Sequence, residues 1–252
     1  MKEKSKVYLS VVIPAYNEEH NLKTGVLDQV YNYLSKQDYT WEVLVVDDGS
    51  KDKTSAIVDK FCKTHKNFVL HLEPHRGKAG TVIAGMLKAK GEIILFTDMD
   101  QATPIDQVAK LLPKVSGGYD IAIGSRSGRK GAPPVRKLMA FGFVILRTVI
   151  LRLPYKDTQC GFKMFSKNAT SAIFTKMQEL RGQESIKGYT VTAGFDLELL
   201  YLARKFGFKV AEVPVIWEDN GKGQVNPIKD SWIGLKGLLQ VRLNSLMGKY
   251  HV

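Results

Sequence analysis

The chain has 252 residues, 44% of them hydrophobic, and a formal net charge of +12 at pH 7. Its length supports a full core as one large domain or two small ones, and its composition is that of a soluble globular protein. The charge calls for an anionic partner: nucleic acid, an acidic membrane surface or a phosphorylated substrate. No internal repeat, low-complexity tract or zinc-finger pattern accompanies it, so nucleic acid has no motif in its favour and is set aside as a partner.

The start, "MKEKSKVYLSVVIPAYNEE", is basic, but its apolar run is only strand-length and closes at Pro14, which reads as no signal peptide. Strand-like runs then recur at 7–14, 41–48, 68–72, 92–98 and 119–125, separated by stretches of helical length at 18–36, 52–65, 78–90 and 104–115. Thr54 or Ser55 is an available N-cap, Gly91 a helix stop, and Pro104 suits a first helical turn. Apolar strands alternating with helices predict an α/β fold with a mostly parallel sheet covered on both faces. Ligands bind such sheets beyond the carboxyl ends of the strands, where Asp47/Asp48 and Asp98/Asp100 both fall.

The second half reads differently. Residues 136–153, "RKLMAFGFVILRTVILRL", are strongly apolar yet carry Arg136, Lys137, Arg147 and Arg152, and their uninterrupted apolar part is too short to span a bilayer. An interfacial amphipathic helix is predicted there. Residues 229–249 repeat the pattern, with Trp232, Leu235, Leu239, Leu243 and Leu246 in one helical stripe. Ordinary core packing is the competing account of both segments. The expected division is a catalytic domain over 1–228 and an amphipathic C-terminal helix over 229–252. Cys62 and Cys160 lie far apart with no metal-ligand spacing, as expected of a reducing, cytoplasmic compartment.

The chemistry-bearing residues cluster at strand ends. In "ILFTDMDQATP", Asp98 and Asp100 are two residues apart, so on an extended chain both carboxylates face one small volume. Such a pair suits Mg²⁺ or Mn²⁺, hard cations that take oxygen ligands and keep positions for substrate phosphates. In "VVDDGSKDKT" an acid at the strand end can accept hydrogen bonds from a ribose or base, although an Asx-type turn would suit the same letters. "HRGKAGT" sets Arg76 and Lys78 at a Gly-rich helix entry, a cradle for a diphosphate. A P-loop is excluded because Leu72 stands where its first Gly belongs, and the missing G-x-G-x-x-G after the first strand removes support for dinucleotide redox chemistry. The five His residues show no ligand spacing and are read as surface or packing residues.

In this order, "VVIPAYNEE", "VVDDGSKDKT" and the D-x-D of "TDMDQATP" resemble the family-2 glycosyltransferases of the GT-A fold. "RGKAGTVIAGMLKAKGEIILFTDMD", "IGSR", "DTQCGFKMF" and "FDLELLYLARKFGFKVAEVPVIW" tighten the resemblance to the dolichyl-phosphate glucosyltransferase and polyprenyl-phosphate glycosyltransferase branch, over nearly the whole chain. The resemblance implies that Pro14, Tyr16, Glu18, Asp48, Lys78 and Asp98 contact the nucleotide-sugar, and that Asp98 and Asp100 hold a divalent metal. Arg126, Arg136 and Lys163 would face phosphate oxygens of the acceptor. Asp100, Arg126 and Asp157 would be catalytic, with a turn or cap role for Asp157 an equal alternative. Met99 and Gln101 depart from the D-A-D-L or D-A-D-G of related members, which leaves open whether Gln101 is itself a ligand.

The function so implied is metal-dependent, inverting transfer of a sugar, glucose from UDP-glucose first, to a polyprenyl phosphate at the cytoplasmic face of an anionic membrane, by a peripherally bound enzyme. GDP-mannose as donor, a soluble enzyme with a saccharide acceptor, and an inactive membrane-binding protein of the same fold are the alternatives.

Overall fold

In the computed structural model, residues 6–126, 134–181, 194–218 and 227–250 are described, with backbone alone for 134–140 and 227–231. Strands β1 (Leu9–Ala15), β2 (Trp41–Asp47), β3 (Phe68–Leu72), β4 (Ile93–Thr97), β5 (Ile121–Ser125), β6 (Phe162–Ser166) and β7 (Val210–Pro214) form one sheet in the order β3-β2-β1-β4-β6-β5-β7. All pairings are parallel except those of β6, which runs antiparallel to both β4 and β5. β1 is buried at every position because it pairs on both edges and is covered on both faces. Alternate residues feed two cores. Val12 joins one with Ile83, Phe96, Phe165 and Leu200, whereas Leu9, Val11 and Ile13 join the other with Val30, Val58 and Leu111.

The helices that cover the sheet are α1 (Glu19–Lys23), α2 (Val26–Leu34), α3 (Thr54–Thr64), α4 (Gly77–Lys88), α5 (Val108–Ser116), α6 (Pro134–Leu151), α7 (Lys167–Arg181), α8 (Phe195–Lys205) and α9 (Pro227–Leu246), with a 3₁₀ turn at Ile105–Gln107 before α5. The single helix expected over 18–36 is two, because Gly25 sits at φ +78° and breaks the hydrogen-bond ladder. Neither expected residue caps α3. Thr54 is already helical, and the Asp52 carboxylate accepts its N–H at 2.9 Å. Gly91 does not stop a helix either: α4 ends at Lys88, and a Cβ on Gly91 would meet the Ser10 nitrogen at 2.6 Å. Its smallness lets the approach to β4 lie against β1.

Two contacts position the strand ends. A Cβ on Gly85 would meet Val12 Cγ1 at 2.4 Å, so α4 lies directly on the sheet and its first turn stands over the carboxyl ends of β1 and β4. The antiparallel return of β6 pairs Phe162 with Thr97, which sets Gly161 beside the residue after β4, Asp98.

The predicted amphipathic segments become α6 and α9, packed on each other, with Gly234 close enough to Phe143 that a Cβ would lie 3.2 Å from its ring. Leu238 and Val241 of α9 enter the core, but Trp232, Leu239, Leu243 and Leu246 face outward, as do Phe141, Ile145 and Val149 of α6. Core packing therefore does not account for the stripes. Arg147 departs from the expected outward charge. It is buried, donating to the carbonyls of Leu153 and Tyr155 and to Thr158 Oγ1, where it ties α6 to the following loop, and burial holds its pKa below the ordinary value. Among the described residues no helix is long and apolar enough to cross a membrane.

Candidate active site

A cleft of ≈ 240 Å³ opens at the carboxyl ends of β1, β2 and β4. Pro14, Tyr16, Glu18, Asp48, Lys78, Asp98 and Asp100, drawn from separate stretches of sequence, all line it, together with His75. The neighbouring acids Asp47 and Asp48 divide the two roles their motif allowed. Asp47 accepts from the hydroxyl and N–H of Ser50 and from Ser55 Oγ at 2.6 Å, an Asx-type turn that starts α3. Asp48 lines the cleft, yet its carboxylate accepts the Arg76 N–H at 2.7 Å and Nδ1 of His75 at 2.8 Å. His75 lies flat against Tyr16, with ring centroids 4.3 Å apart and planes 16° from parallel. His75, expected as a surface or packing residue, packs on Tyr16 and is at the same time part of the cleft wall. Its position beside the Gly-rich "RGKAG" was the available signal.

Asp98 and Asp100 follow β4 in a turn rather than on an extended strand; Met99 between them is buried and both acids line the cleft. Asp98 Oδ1 lies 2.5 Å from Lys78 Nζ, and Asp100 Oδ1 accepts the Ala102 N–H at 3.1 Å. Gln101 is buried at φ +48°, and its amide nitrogen donates to the Asp98 carbonyl at 2.9 Å. The side chain thus braces the acidic turn from beneath. Gly161, the glycine of "DTQCGFK", completes the seat: a Cβ there would lie 2.0 Å from Asp98 Oδ2. Among the described residues no group of three or more His, Cys, Asp and Glu could enclose a metal. Two carboxylates at an open cleft fit an Mg²⁺ or Mn²⁺ that takes its other ligands from a diphosphate and water, since these hard cations are commonly held by one or two carboxylates and substrate phosphates.

The residues expected at the acceptor phosphate are distributed differently. Arg126 is held bidentately by Asp157, Nε to Oδ2 at 2.6 Å and Nη2 to Oδ1 at 2.9 Å, with its guanidinium over the Trp217 ring. The two residues expected to be catalytic thus form one part-buried ion pair, joining the end of β5 to the loop that leads to Gly161. Glu212 of β7 holds the same loop through the Lys156 and Asp157 N–H groups. Lys163 faces no open phosphate site. It is fully buried, because the register of β6 turns it over Phe96, and its ammonium donates to the Cys160 carbonyl and to half-buried Asp196, each at 2.6 Å. Asp196, at the first turn of α8, was not singled out in the sequence. Arg136 is on α6, and its side chain lies outside the described residues.

Burial alone would raise the Asp157 pKa, but the hydrogen bonds and charge of Arg126 and the Gln159 N–H outweigh it and hold the carboxyl at about 2, against an ordinary 3.8. A depressed carboxyl contributes stability that is complete above the ordinary pKa and lost as pH falls through the folded-state value, worth about 2 kcal/mol here. Urea denaturation at neutral pH should find Asp157→Asn less stable than the parent by about that much. The gap should narrow below pH 4 and close near pH 2; a gap independent of pH would contradict the pairing.

Comparison with known proteins is consistent with this geometry. Residues 10–174 match the model of glycosyl transferase family 2. The chain is 36% identical over 256 residues, covering 95% of itself and 70% of the relative, to the dolichyl-phosphate β-glucosyltransferase ALG5C of Trichomonas vaginalis. Among solved structures it superposes on mannosyl-3-phosphoglycerate synthase from Rubrobacter xylanophilus with a TM-score of 0.66 at 15% identity, covering 98% of this chain and 76% of that one. It also superposes on glucosyl-3-phosphoglycerate synthase from Mycobacterium tuberculosis in complex with Mn²⁺, UDP and glucosyl-3-phosphoglycerate, with a TM-score of 0.58 at 17% identity, covering 99% and 82%. The family match, the relative aligned along almost all of the chain and the shared mostly parallel sheet together establish that the chain belongs to glycosyl transferase family 2 and is a glycosyltransferase of the GT-A fold.

Proposed function

We propose that this glycosyltransferase moves glucose from UDP-glucose to a polyprenyl phosphate, dolichyl or undecaprenyl, while bound peripherally to the cytoplasmic face of a membrane. The observation that carries the reading is the meeting of Asp98, Asp100 and Lys78 at one cleft that Tyr16 and His75 also line. A nucleoside diphosphate needs both an aromatic wall and a site that manages phosphate charge. The names of the similar dolichyl-phosphate β-glucosyltransferases supply the sugar and the acceptor class.

The reaction needs little acid–base help. An ionised oxygen of the lipid phosphate attacks the anomeric carbon from the face opposite the diphosphate, a new carbon–oxygen bond forms, and UDP leaves with the electron pair of the old one. The configuration inverts. With a nucleophile already charged, positioning and charge stabilisation remain as the protein's tasks. Lys78, one residue into α4, stands where its charge and the helix N-terminus meet a departing diphosphate. A divalent ion bound by Asp98 and Asp100 would neutralise charge on that leaving group. The Arg126–Asp157 pair holds the loop whose Gly161 leaves room for Asp98.

The acceptor explains the exposed apolar stripes. A lipid phosphate keeps its chain in the bilayer, so the enzyme must rest at the interface. The outward faces of α6 and α9 carry Phe141 (62% exposed), Val149 (73%), Trp232 (60%) and Leu246 (68%), with exposed Arg152, Lys236 and Arg242 alongside. Apolar insertion and attraction to anionic headgroups then act together.

Two outcomes are expected. Offered a panel of nucleotide-sugars with a polyprenyl phosphate and Mg²⁺ or Mn²⁺, the purified protein should make the lipid-linked glucose from UDP-glucose. Excess EDTA should stop the reaction and Asp100→Ala should remove nearly all of it; turnover undiminished in EDTA would refute metal use, and turnover with GDP-mannose alone would refute the donor. In sedimentation with phosphatidylserine-containing vesicles, the protein should pellet at low salt and partly release at high salt. Val149→Glu and Leu246→Glu, both at exposed positions, should weaken pelleting without changing the circular dichroism spectrum, and parent protein remaining in the supernatant at low salt would refute interfacial binding.

A further inference from the structure

Lys163 is fully buried between β4 and β5, in register with Phe96 on one side and Ile123 on the other, and its ammonium lies 5.3 Å from the Phe96 ring centroid. A buried ion pair is often no more stabilising than apolar side chains of the same volume, so a methionine would fill this place about as well. What the ammonium adds is two directed hydrogen bonds, each 2.6 Å long. One goes to the backbone carbonyl of Cys160, the residue before Gly161, and the other to Oδ1 of Asp196. The Cys160 side chain is wedged as well, since a Cβ on Gly124 would lie 3.1 Å from its sulfur. Asp196 is in turn a fixed point. It stands in the first turn of α8, where a carboxylate suits the helix end, and Gly194 before it, at φ +87°, packs on α9 so closely that a Cβ would lie 3.1 Å from Cα of Gly237.

We propose that Lys163 and Asp196 are positioning residues for the metal–diphosphate site: the ammonium ties the Cys160 carbonyl to α8 and so sets where the Gly161 backbone lies against Asp98. This rests on the donor and metal reading proposed above. A Cβ on Gly161 would be 2.0 Å from Asp98 Oδ2, so the carboxylate rests on that backbone and feels any shift of it. The Arg126–Asp157 pair holds the loop ahead of this point, whereas Lys163 holds it at the peptide that enters Gly161. Neither Lys163 nor Asp196 is among the described residues that line the cleft, so both act through Gly161 and Asp98 and not by touching the donor.

The test is calorimetric titration of UDP, with and without Mn²⁺, into the full chain. The proteins are the parent, Lys163→Met, Asp196→Ala, Asp196→Asn and the double variant Lys163→Met/Asp196→Ala, each also melted thermally. Lys163→Met removes the donor without stranding a buried charge, because the Asp196 side chain is 30% exposed and keeps its water. It should reduce the Mn²⁺ strengthening of UDP binding roughly tenfold, the usual cost of losing a group that orients a metal ligand, and leave metal-free UDP affinity unchanged. Asp196→Ala should reduce the strengthening too, and should add nothing in the Lys163→Met background, because Asp196 acts through the ammonium. Asp196→Asn keeps the volume and weakens the hold on the ammonium, so it should lose part of the effect and serves if the larger changes do not fold. A lowered melting temperature with the Mn²⁺ effect whole, in Lys163→Met or failing that in Asp196→Asn, would show a purely structural pair and overturn the proposal. Equal losses of UDP affinity with and without Mn²⁺, or additive losses in the double variant, would overturn it as well. A parent protein whose UDP affinity Mn²⁺ leaves unchanged would instead refute the metal reading, and this proposal with it.

Discussion

The Asp98 carboxylate has a seat one atom wide, and the rest of the site depends on it. One oxygen lies against Lys78 Nζ and the other fills the space that any side chain at position 161 would claim. Three parts of the fold must meet for this. β4 delivers the carboxylate past its carboxyl end, α4 lies close enough on the sheet at Gly85 to bring Lys78 over it, and β6 returns antiparallel so that a glycine faces it. A parallel strand in that place would enter the sheet from the opposite end and could not present the residue before it to Asp98.

The loop carrying Gly161 is held from behind by the Arg126–Asp157 pair, the Glu212 contacts and Arg147 on the loop carbonyls. These are part-buried charge-assisted bonds, which rigidify a segment when every partner is satisfied. Arg126 and Lys163, expected at phosphate oxygens, are engaged here by Asp157 and Asp196. The cleft itself keeps Lys78, Asp98 and Asp100, at strand and helix ends where backbone and solvent leave room for a diphosphate.

The sequence showed the first half of this clearly. Strand runs ending in Asp48 and Asp98 are apolar because both faces of a central parallel strand are buried, so their ends could be found from the letters and the cleft residues with them. The second half was less legible. β6 is five residues long with a lysine at its second position, and β7 alternates weakly as the sheet's edge, so neither stood out from periodicity. Lys163 looked like an anion ligand because a fully buried lysine needs a partner 33 residues away, Asp196, that no local pattern reveals. His75 and Gln101 were underestimated for the same reason, since their contacts lie with Asp48 and Tyr16 in one case and with the inside of a turn in the other. The stripes of α6 and α9 were visible as helical periods, but only packing could tell which side faces out.

If the Gly161 gap seats Asp98 as the anchor of a metal–diphosphate site, filling that gap must unseat it. Alanine at 161 tests it cleanly, because the backbone there is not left-handed and the contacts a Cβ would meet are atoms of Asp98. The measurement is UDP affinity with and without Mn²⁺ for the parent and Gly161→Ala. Mn²⁺ should strengthen UDP binding in the parent, and Gly161→Ala should lose this strengthening while keeping its metal-free UDP affinity. A Gly161→Ala protein with the full Mn²⁺ effect would show that the gap does not seat the metal–diphosphate anchor.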